Sequence, residues 1–177
     1  MRLFLLLFLF SLNTYSEEFT VAKFKEILKG KETESIRKEL KHLHIMKKCN
    51  VNFTLNYPER EPFKVNTTAT EKYVGKRYIV TEIKVPDNKP FYSILMWNDK
   101  ENKFETWLMD PGEKITRFSG KVDKKNKNRI HWSGKTTSGQ DYKGYTDYSK
   151  KLISWEGKYT NPDGTYYTES GNSTPAK

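Results

Sequence analysis

An aromatic ring, a Ser or Glu, a Gly and a Lys follow one another three times in the second half of the chain. The copies are Phe118-Ser119-Gly120-Lys121, Trp132-Ser133-Gly134-Lys135 and Trp155-Glu156-Gly157-Lys158. The last two extend backwards to Ile130-His131 and Ile153-Ser154. Two-residue spacing puts ring and glycine on one face of an extended strand. Gly in a strand permits bending, or the close approach of a ring from a neighbouring strand. Strands in series form an antiparallel meander, which must close on itself or pack against another layer.

The same period of two governs the region before the repeats. Cys49, Val51, Phe53, Leu55 and Tyr57 alternate with Asn50, Asn52, Thr54 and Asn56. After a loop bounded by Pro58 and Pro62, Phe63, Val65, Thr67, Ala69, Glu71 and Tyr73 alternate with polar residues. Such alternation marks strands with one dry and one wet face. Gly75-Lys76 and Pro86-Asp87-Asn88 are turns flanking a strand with Ile79, Ile83 and Val85 on one face. Residues 91–97 are apolar on both faces, so that strand needs a cover on its outer side. Further strands are expected near 104–110, 114–122, 129–137, 141–148, 151–160 and 165–170.

About ten short strands, with turn signals roughly every 8–15 residues, point to a sandwich or a barrel. The fold expected is mainly β: an antiparallel up-and-down barrel of about 8–10 strands over residues 49–177, able to enclose one small ligand.

Two segments precede it. Arg2, the apolar run 3–10 and the polar stretch Asn13-Thr14-Tyr15-Ser16 read as an export signal over 1–16. The run falls short of the roughly 20 residues a membrane span requires. The mature chain is therefore expected to be periplasmic or secreted, with cleavage near Ser16. Residues 17–48 read as helical: Phe19, Ala22, Phe24, Ile27 and Leu28 before Gly30, then Ile36, Leu40, Leu43 and Met46 at helical spacing. Glu34 and Lys38 add a favourable i,i+4 pair. This segment is expected to cap or flank the barrel; a basic amphipathic helix can also make peripheral membrane contact.

The formal net charge is +10, from 32 Lys and Arg against 22 Asp and Glu. Lys124, Lys125, Lys127, Lys150 and Lys151 lie in expected turns, which favours a solvated surface resistant to edge pairing. The competing reading is a surface for an anionic partner, with residues 41–48 as its densest stretch: lipid headgroups, polysaccharide or nucleic acid. No specific nucleic-acid recognition is expected.

The stretch from Trp97-Asn98-Asp99 through Lys103-Phe104-Glu105-Thr106-Trp107 to Met109-Asp110-Pro111-Gly112 resembles a segment of the domain of unknown function 1579 family. In that family an aromatic-Asp turn leads into a Lys-aromatic strand ending near Trp and Asp. The resemblance continues through Phe118-Ser119-Gly120-Lys121-Val122-Asp123 and the Trp-x-Gly strands to Asn161-Pro162-Asp163-Gly164-Thr165, covering roughly residues 64–177. It implies a lipocalin-like, calycin-type barrel, common in bacterial proteins, often exported and without an established activity. It supplies no catalytic residues.

No constellation for chemistry stands out. His42 and His44 lie about 200° apart around a helix and cannot share a metal. His131 could ligate a haem inside a barrel, but if Trp132 points inward, His131 points outward. Cys49, the only cysteine, sits on an apolar strand face where a thiolate is disfavoured. No Gly-x-Ser-x-Gly elbow occurs. Glu105 with Asp110, and Glu156 with Glu169, are the acid pairs weighed for acid–base work. Asn52-Phe53-Thr54, Asn66-Thr67-Thr68 and Asn172-Ser173-Thr174 match a glycosylation sequon, relevant only in a eukaryotic source.

Aromatic residues are the remaining lead. Tyr78, Trp97, Phe104, Trp107, Phe118, Trp132, Trp155 and Tyr159 are the candidates for a pocket lining, or else for a filled core. The function expected is binding of a small hydrophobic or aromatic ligand inside the barrel, without enzymatic activity, metal or cofactor. An enzyme would need two or more ionisable side chains within hydrogen-bond reach of each other in the cavity.

Overall fold

The computed structural model describes residues 19–43 and 45–176. The expected export signal over 1–16 and His44 lie outside the described residues. Ten strands form one closed antiparallel barrel: β1 (Lys48–Tyr57), β2 (Arg60–Val74), β3 (Tyr78–Ile83), β4 (Phe91–Asn98), β5 (Lys103–Met109), β6 (Ile115–Val122), β7 (Arg129–Lys135), β8 (Asp141–Tyr148), β9 (Ile153–Thr160) and β10 (Tyr166–Pro175). Each strand pairs with its sequence neighbour, and β10 returns to pair with β1 from Cys49↔Pro175 to Asn56↔Thr168. Closure leaves no free sheet edge. The last strand runs past residue 170, where the sequence suggested its end. There Gly171, Asn172, Ser173 and Thr174 find ladder partners on β1 and β9, which override their weak strand preference.

Register settles which side chains face inward. Phe104 lies opposite Trp97 and Gly120, Trp132 opposite Gly120 and Gly144, and Trp155 opposite Gly171. Rings therefore meet glycines across the ladder, on the inner face. A Cβ built on Gly120 would run into the Trp132 ring, and one on Gly171 into the Trp155 ring. A Cβ on Gly134 would come within 2.7 Å of Phe118 Cδ1, and one on Gly157 within 2.5 Å of Tyr142 Cε2. The recurring ring and glycine thus form a lock: each glycine leaves the floor on which a neighbouring ring lies. Trp132 also donates from Nε1 to Thr146 Oγ1 at 3.1 Å, satisfying its one polar atom in the interior.

The N-terminal segment is helical only in part. Thr20 caps α1 (Val21–Leu28), accepting from the Lys23 backbone N–H. Phe24 and Ile27 are buried against Val74, Val80, Ile94 and Met109 on the outer wall, so α1 covers the strand that is apolar on both faces. Residues 36–43 do not continue as a helix. Successive turns, with Leu40 N bonded to Arg37 O, Lys41 N to Lys38 O and Leu43 N to Leu40 O, carry them across the end of the barrel. Turns also return a side chain to the same side every three or four residues. The spacing read as a second helix is satisfied by Ile36, Leu40 and Leu43 packing among Ile79, Leu95, Phe104 and Ile130. Arg37 fastens this plug, with Nη2 2.7 Å and Nη1 2.9 Å from the Asp99 carboxylate in the β4–β5 loop and its own N–H bonded to Lys76 O.

The ring–glycine lock generates a stability prediction. Gly120→Ala should lower unfolding free energy by about 1–3 kcal/mol through overpacking. The loss should shrink in a Trp132→Phe background, because the ring atoms that the new methyl meets are gone. Urea unfolding of the four proteins measures the coupling; additive losses would refute the lock.

Candidate functional site

The two ends of the barrel differ. At the end closed by residues 36–46, inward side chains are dry: Ile130 is 0% exposed and Phe104 1%. At the opposite end, where the loops after β1, β3, β5, β7 and β9 lie, inward positions keep partial exposure. Leu55, Val65, Ile83, Phe91 and Leu108 are all part-exposed. Phe63, inward by register opposite Leu55, is 57% exposed. A sealed interior would bury them, so this end, the cup, is open to water and bordered by apolar side chains.

One wall of the cup is a run of rings. Phe118–Tyr142 centroids are 4.5 Å apart, Tyr142–Tyr159 4.7 Å, Tyr159–Tyr167 4.7 Å and Tyr167–Tyr57 5.1 Å. The run passes from the closed core to the rim, where the Arg60 guanidinium lies 3.8 Å from the Tyr57 ring centre. Glu169 projects among these rings from β10. Tyr142 donates its hydroxyl to Glu169 Oε1 at 2.9 Å and Tyr159 to Oε2 at 3.3 Å. Burial pushes the Glu169 carboxyl above the usual range, against the two phenol hydrogen bonds that favour its ionised form. Burial first, and the neighbouring Glu169 second, raise both phenols above their ordinary value, making them still weaker acids.

A second inward carboxyl, Glu71, serves the plug. It accepts from the Met46 backbone N–H at 2.6 Å and from Thr81 Oγ1 at 3.4 Å. Burial outweighs these bonds and pushes its pKa up to about 7.

Of the eight sequence candidates, Trp97, Phe104, Phe118, Trp132, Trp155 and Tyr159 face inward. Phe104, Phe118 and Trp132 are buried core at the closed half, with Trp97 packed on them. Trp155 lies on Gly171 beside Met46 and Cys49. Tyr159 alone stands in the tyrosine wall of the cup. Tyr78 and Trp107 are corrections: their register puts them on the outer wall with α1, where Phe19 stacks on Trp107 at 4.5 Å. Alternation fixes which residues share a face but not which face is inside where both are apolar. The sequence offers Glu169 only as an acid partner for Glu156, and Tyr142 and Tyr167 lie outside the eight pocket candidates, although Tyr167, Glu169 and Gly171 share the two-residue period that assigns the inner face.

The remaining chemistry-bearing residues separate. His131 faces outward and contacts Asp123 at 2.8 Å; that hydrogen bond, first among the causes, lowers the Asp123 pKa to about 2. Cys49 is buried, and burial raises its thiol. Glu156 faces outward from β9 while Glu169 faces inward. Glu105 on the outer wall accepts from Asn98 at 2.7 Å and pairs with Arg117, away from Asp110. No cluster of three or more His, Cys, Asp or Glu suited to a metal occurs among the described residues. No helix among them is long and apolar enough to cross a membrane.

Outside the barrel, a groove of about 590 Å³ between α1 and β2–β4 carries Lys25, Lys29, Lys47 and Lys72. Glu32 and Glu82 interrupt the positive charge, Lys25 is paired with Glu113 at 2.7 Å, and Lys72 donates to Leu28 O at 3.1 Å.

No protein-family model and no curated protein matches the chain. Among solved structures it is similar to Rv2717c from M. tuberculosis, at 13% identity and TM-score 0.52, covering 81% of this chain and all of that one. It is also similar to the ywiB protein from Bacillus subtilis, at 13% identity and TM-score 0.39 over 73% of this chain and 91% of that one. A DUF1329 family protein from Desulfovibrio piger aligns at 8% identity and TM-score 0.29 over 71% and 84%. At these identities the likeness to the first supports the fold alone.

The position of Glu71 yields a pH prediction. Its folded pKa lies above the ordinary value of 4.5, so folding retains a proton that the unfolded chain releases. The associated stability is full below pH 4.5 and is lost as pH rises through about 7. The loss should be on the order of 3 kcal/mol, relative to Glu71→Gln, which keeps an acceptor for Met46 without titrating. Denaturant titrations of both proteins between pH 4 and 8 measure it. Parallel stability curves would show that Glu71 does not titrate in that window.

Proposed function

We propose that this protein is an exported, non-enzymatic carrier or sensor that holds a small apolar or ring-bearing molecule in the open end of its barrel. The observation that carries this reading is the asymmetry of the interior. One half is sealed by the plug and by rings seated on glycines; the other presents part-exposed apolar side chains at inward positions. Those side chains, Leu55, Val65, Ile83, Phe91 and Leu108, gain most from covering by an apolar body, at about 25 cal/mol per Å² removed from water. The apolar run at residues 3–10 supports export. The likeness of residues 64–177 to the domain of unknown function 1579 family supports the same picture of an exported barrel.

Ionisable groups do meet in the cup, in Glu169 with Tyr142 and Tyr159. Burial makes both tyrosines weaker acids, and no histidine or thiol among the described residues accompanies them, which supports recognition rather than reaction. The alternative, an anionic partner on the basic surface, has less support. The groove beside α1 mixes acids with its lysines, and Arg37 and Arg129 are ion-paired.

A neutral environment-sensitive dye, N-phenyl-1-naphthylamine, tests the reading. The protein should bind it with a blue-shifted, saturable fluorescence rise. Leu108→Trp, which fills the cup from β5, should weaken binding by at least about tenfold while circular dichroism shows an unchanged fold. Binding that persists unchanged in this folded variant would place the dye elsewhere and overturn the proposal.

A further inference from the structure

Donors and acceptors facing the cup are unequal. Tyr142 and Tyr159 each have one hydroxyl proton, and both are given to Glu169. Tyr167 gives its proton to Gln140 Oε1 at 3.3 Å, and Gln140 passes Nε2–H to Asn161 Oδ1 at 2.7 Å. The polar groups of the tyrosine wall have thus committed these donors to one another. What Glu169 itself offers a ligand is acceptor capacity, the spare lone pairs of its carboxyl oxygens. A carboxylate accommodates about four hydrogen bonds, and Glu169 receives two from its tyrosines.

The charge balance has the same sign. No lysine or arginine pairs with Glu169 among the described residues, and none contributes to its electrostatic surroundings. Tyr159 and Tyr167 beside it stack on each other at 4.7 Å, so they add apolar bulk to the wall. An inward carboxyl with no lysine or arginine paired to it can receive an organic ammonium group through charge-assisted hydrogen bonds. An anionic ligand would face repulsion from the ionised carboxyl. A neutral ligand would leave the buried carboxyl protonated, whereas a cation beside it favours the ionised form.

We infer that the molecule held in the cup carries a cationic nitrogen on an apolar or aromatic body, with Glu169 as its counter-charge and Tyr159 and Tyr167 as apolar neighbours. This rests on the proposal that the cup binds a ligand, and specifies the chemistry of that ligand. Tyr142 and Tyr159 act as positioning residues, holding the carboxylate toward the cavity. Gly144 and Gly157 let Tyr142 reach it, because a Cβ on either would lie 2.5 or 2.6 Å from the Tyr142 hydroxyl.

The test compares three probes of one shape at pH 7 by titration calorimetry: 2-naphthylmethylamine as the cation, 2-naphthalenemethanol as the neutral body and 2-naphthoate as the anion. The amine should bind at least about tenfold more tightly than the alcohol, and the naphthoate more weakly than either. Glu169→Gln should erase the preference for the amine and leave affinity for the alcohol within about twofold. Glu169→Asp, which keeps the charge, should retain part of the preference. Equal binding of amine and alcohol, or tightest binding of naphthoate, would overturn the inference while the ligand-binding cup stands. Failure of all three probes to bind would overturn both. Should Glu169→Gln fail to fold, the order of the three probes on the unaltered protein decides the matter.

Discussion

A closed barrel must fill the space it encloses, and this one does so by laying large rings on bare backbone. Trp132 rests on Gly120 and Trp155 on Gly171, each reaching across one ladder, while Tyr142 spans Gly144 and Gly157. Every such pair needs both members. A side chain on the glycine has no room, and a small residue in place of the ring leaves a void in a dry interior. With no disulfide available to the single Cys49, this packing and the plug supply the core of the sealed half.

The remaining features follow from filling one half and not the other. Residues 36–46 close the end where the rings already pack tightly, and Arg37 and Glu71 tie that segment to loop and wall. At the far end no segment among the described residues crosses the opening, the strand ends carry moderate-sized apolar residues, and Tyr142 and Tyr159 turn their hydroxyls toward Glu169. Two phenols hydrogen-bond the Glu169 carboxyl there, but burial outweighs them and favours its protonated form. The helix α1, on the outer wall, relieves the opposite difficulty: strands β3 to β5 are apolar outside as well as inside, and Phe24 and Ile27 cover them.

Much of this was legible in the chain. Alternation from Cys49 to Tyr73 and the ring–glycine spacing give strands, faces and closure, because strand geometry has a rigid period. Even the inward Glu71 falls on the face shared by Ala69 and Tyr73. The helical reading of residues 36–46 failed because a series of turns satisfies the same apolar spacing, and only the width of the barrel end selects between them. Tyr78 and Trp107 were misplaced where both strand faces are apolar, so alternation carries no sign. The tyrosine–Glu169 cluster depends on which strands become neighbours and on the direction taken by the Tyr142 side chain. Neither is encoded in local spacing.

The pairing of β1 with β10 has a consequence for how the molecule comes into being. All nine ladders between consecutive strands can form as soon as the next strand emerges, but the tenth, the seam, joins residues some 120 positions apart. Until the final strand is made, β1 presents an unpaired edge, and assembly of the circle waits on the last tenth of the chain. Loss of that final strand would reopen the ring and expose an edge of β9 as well. Because the seam is a ladder like the others, the start of β1 and the end of β10 sit beside each other, with the Ala176 N–H bonded to Lys48 O at 3.0 Å.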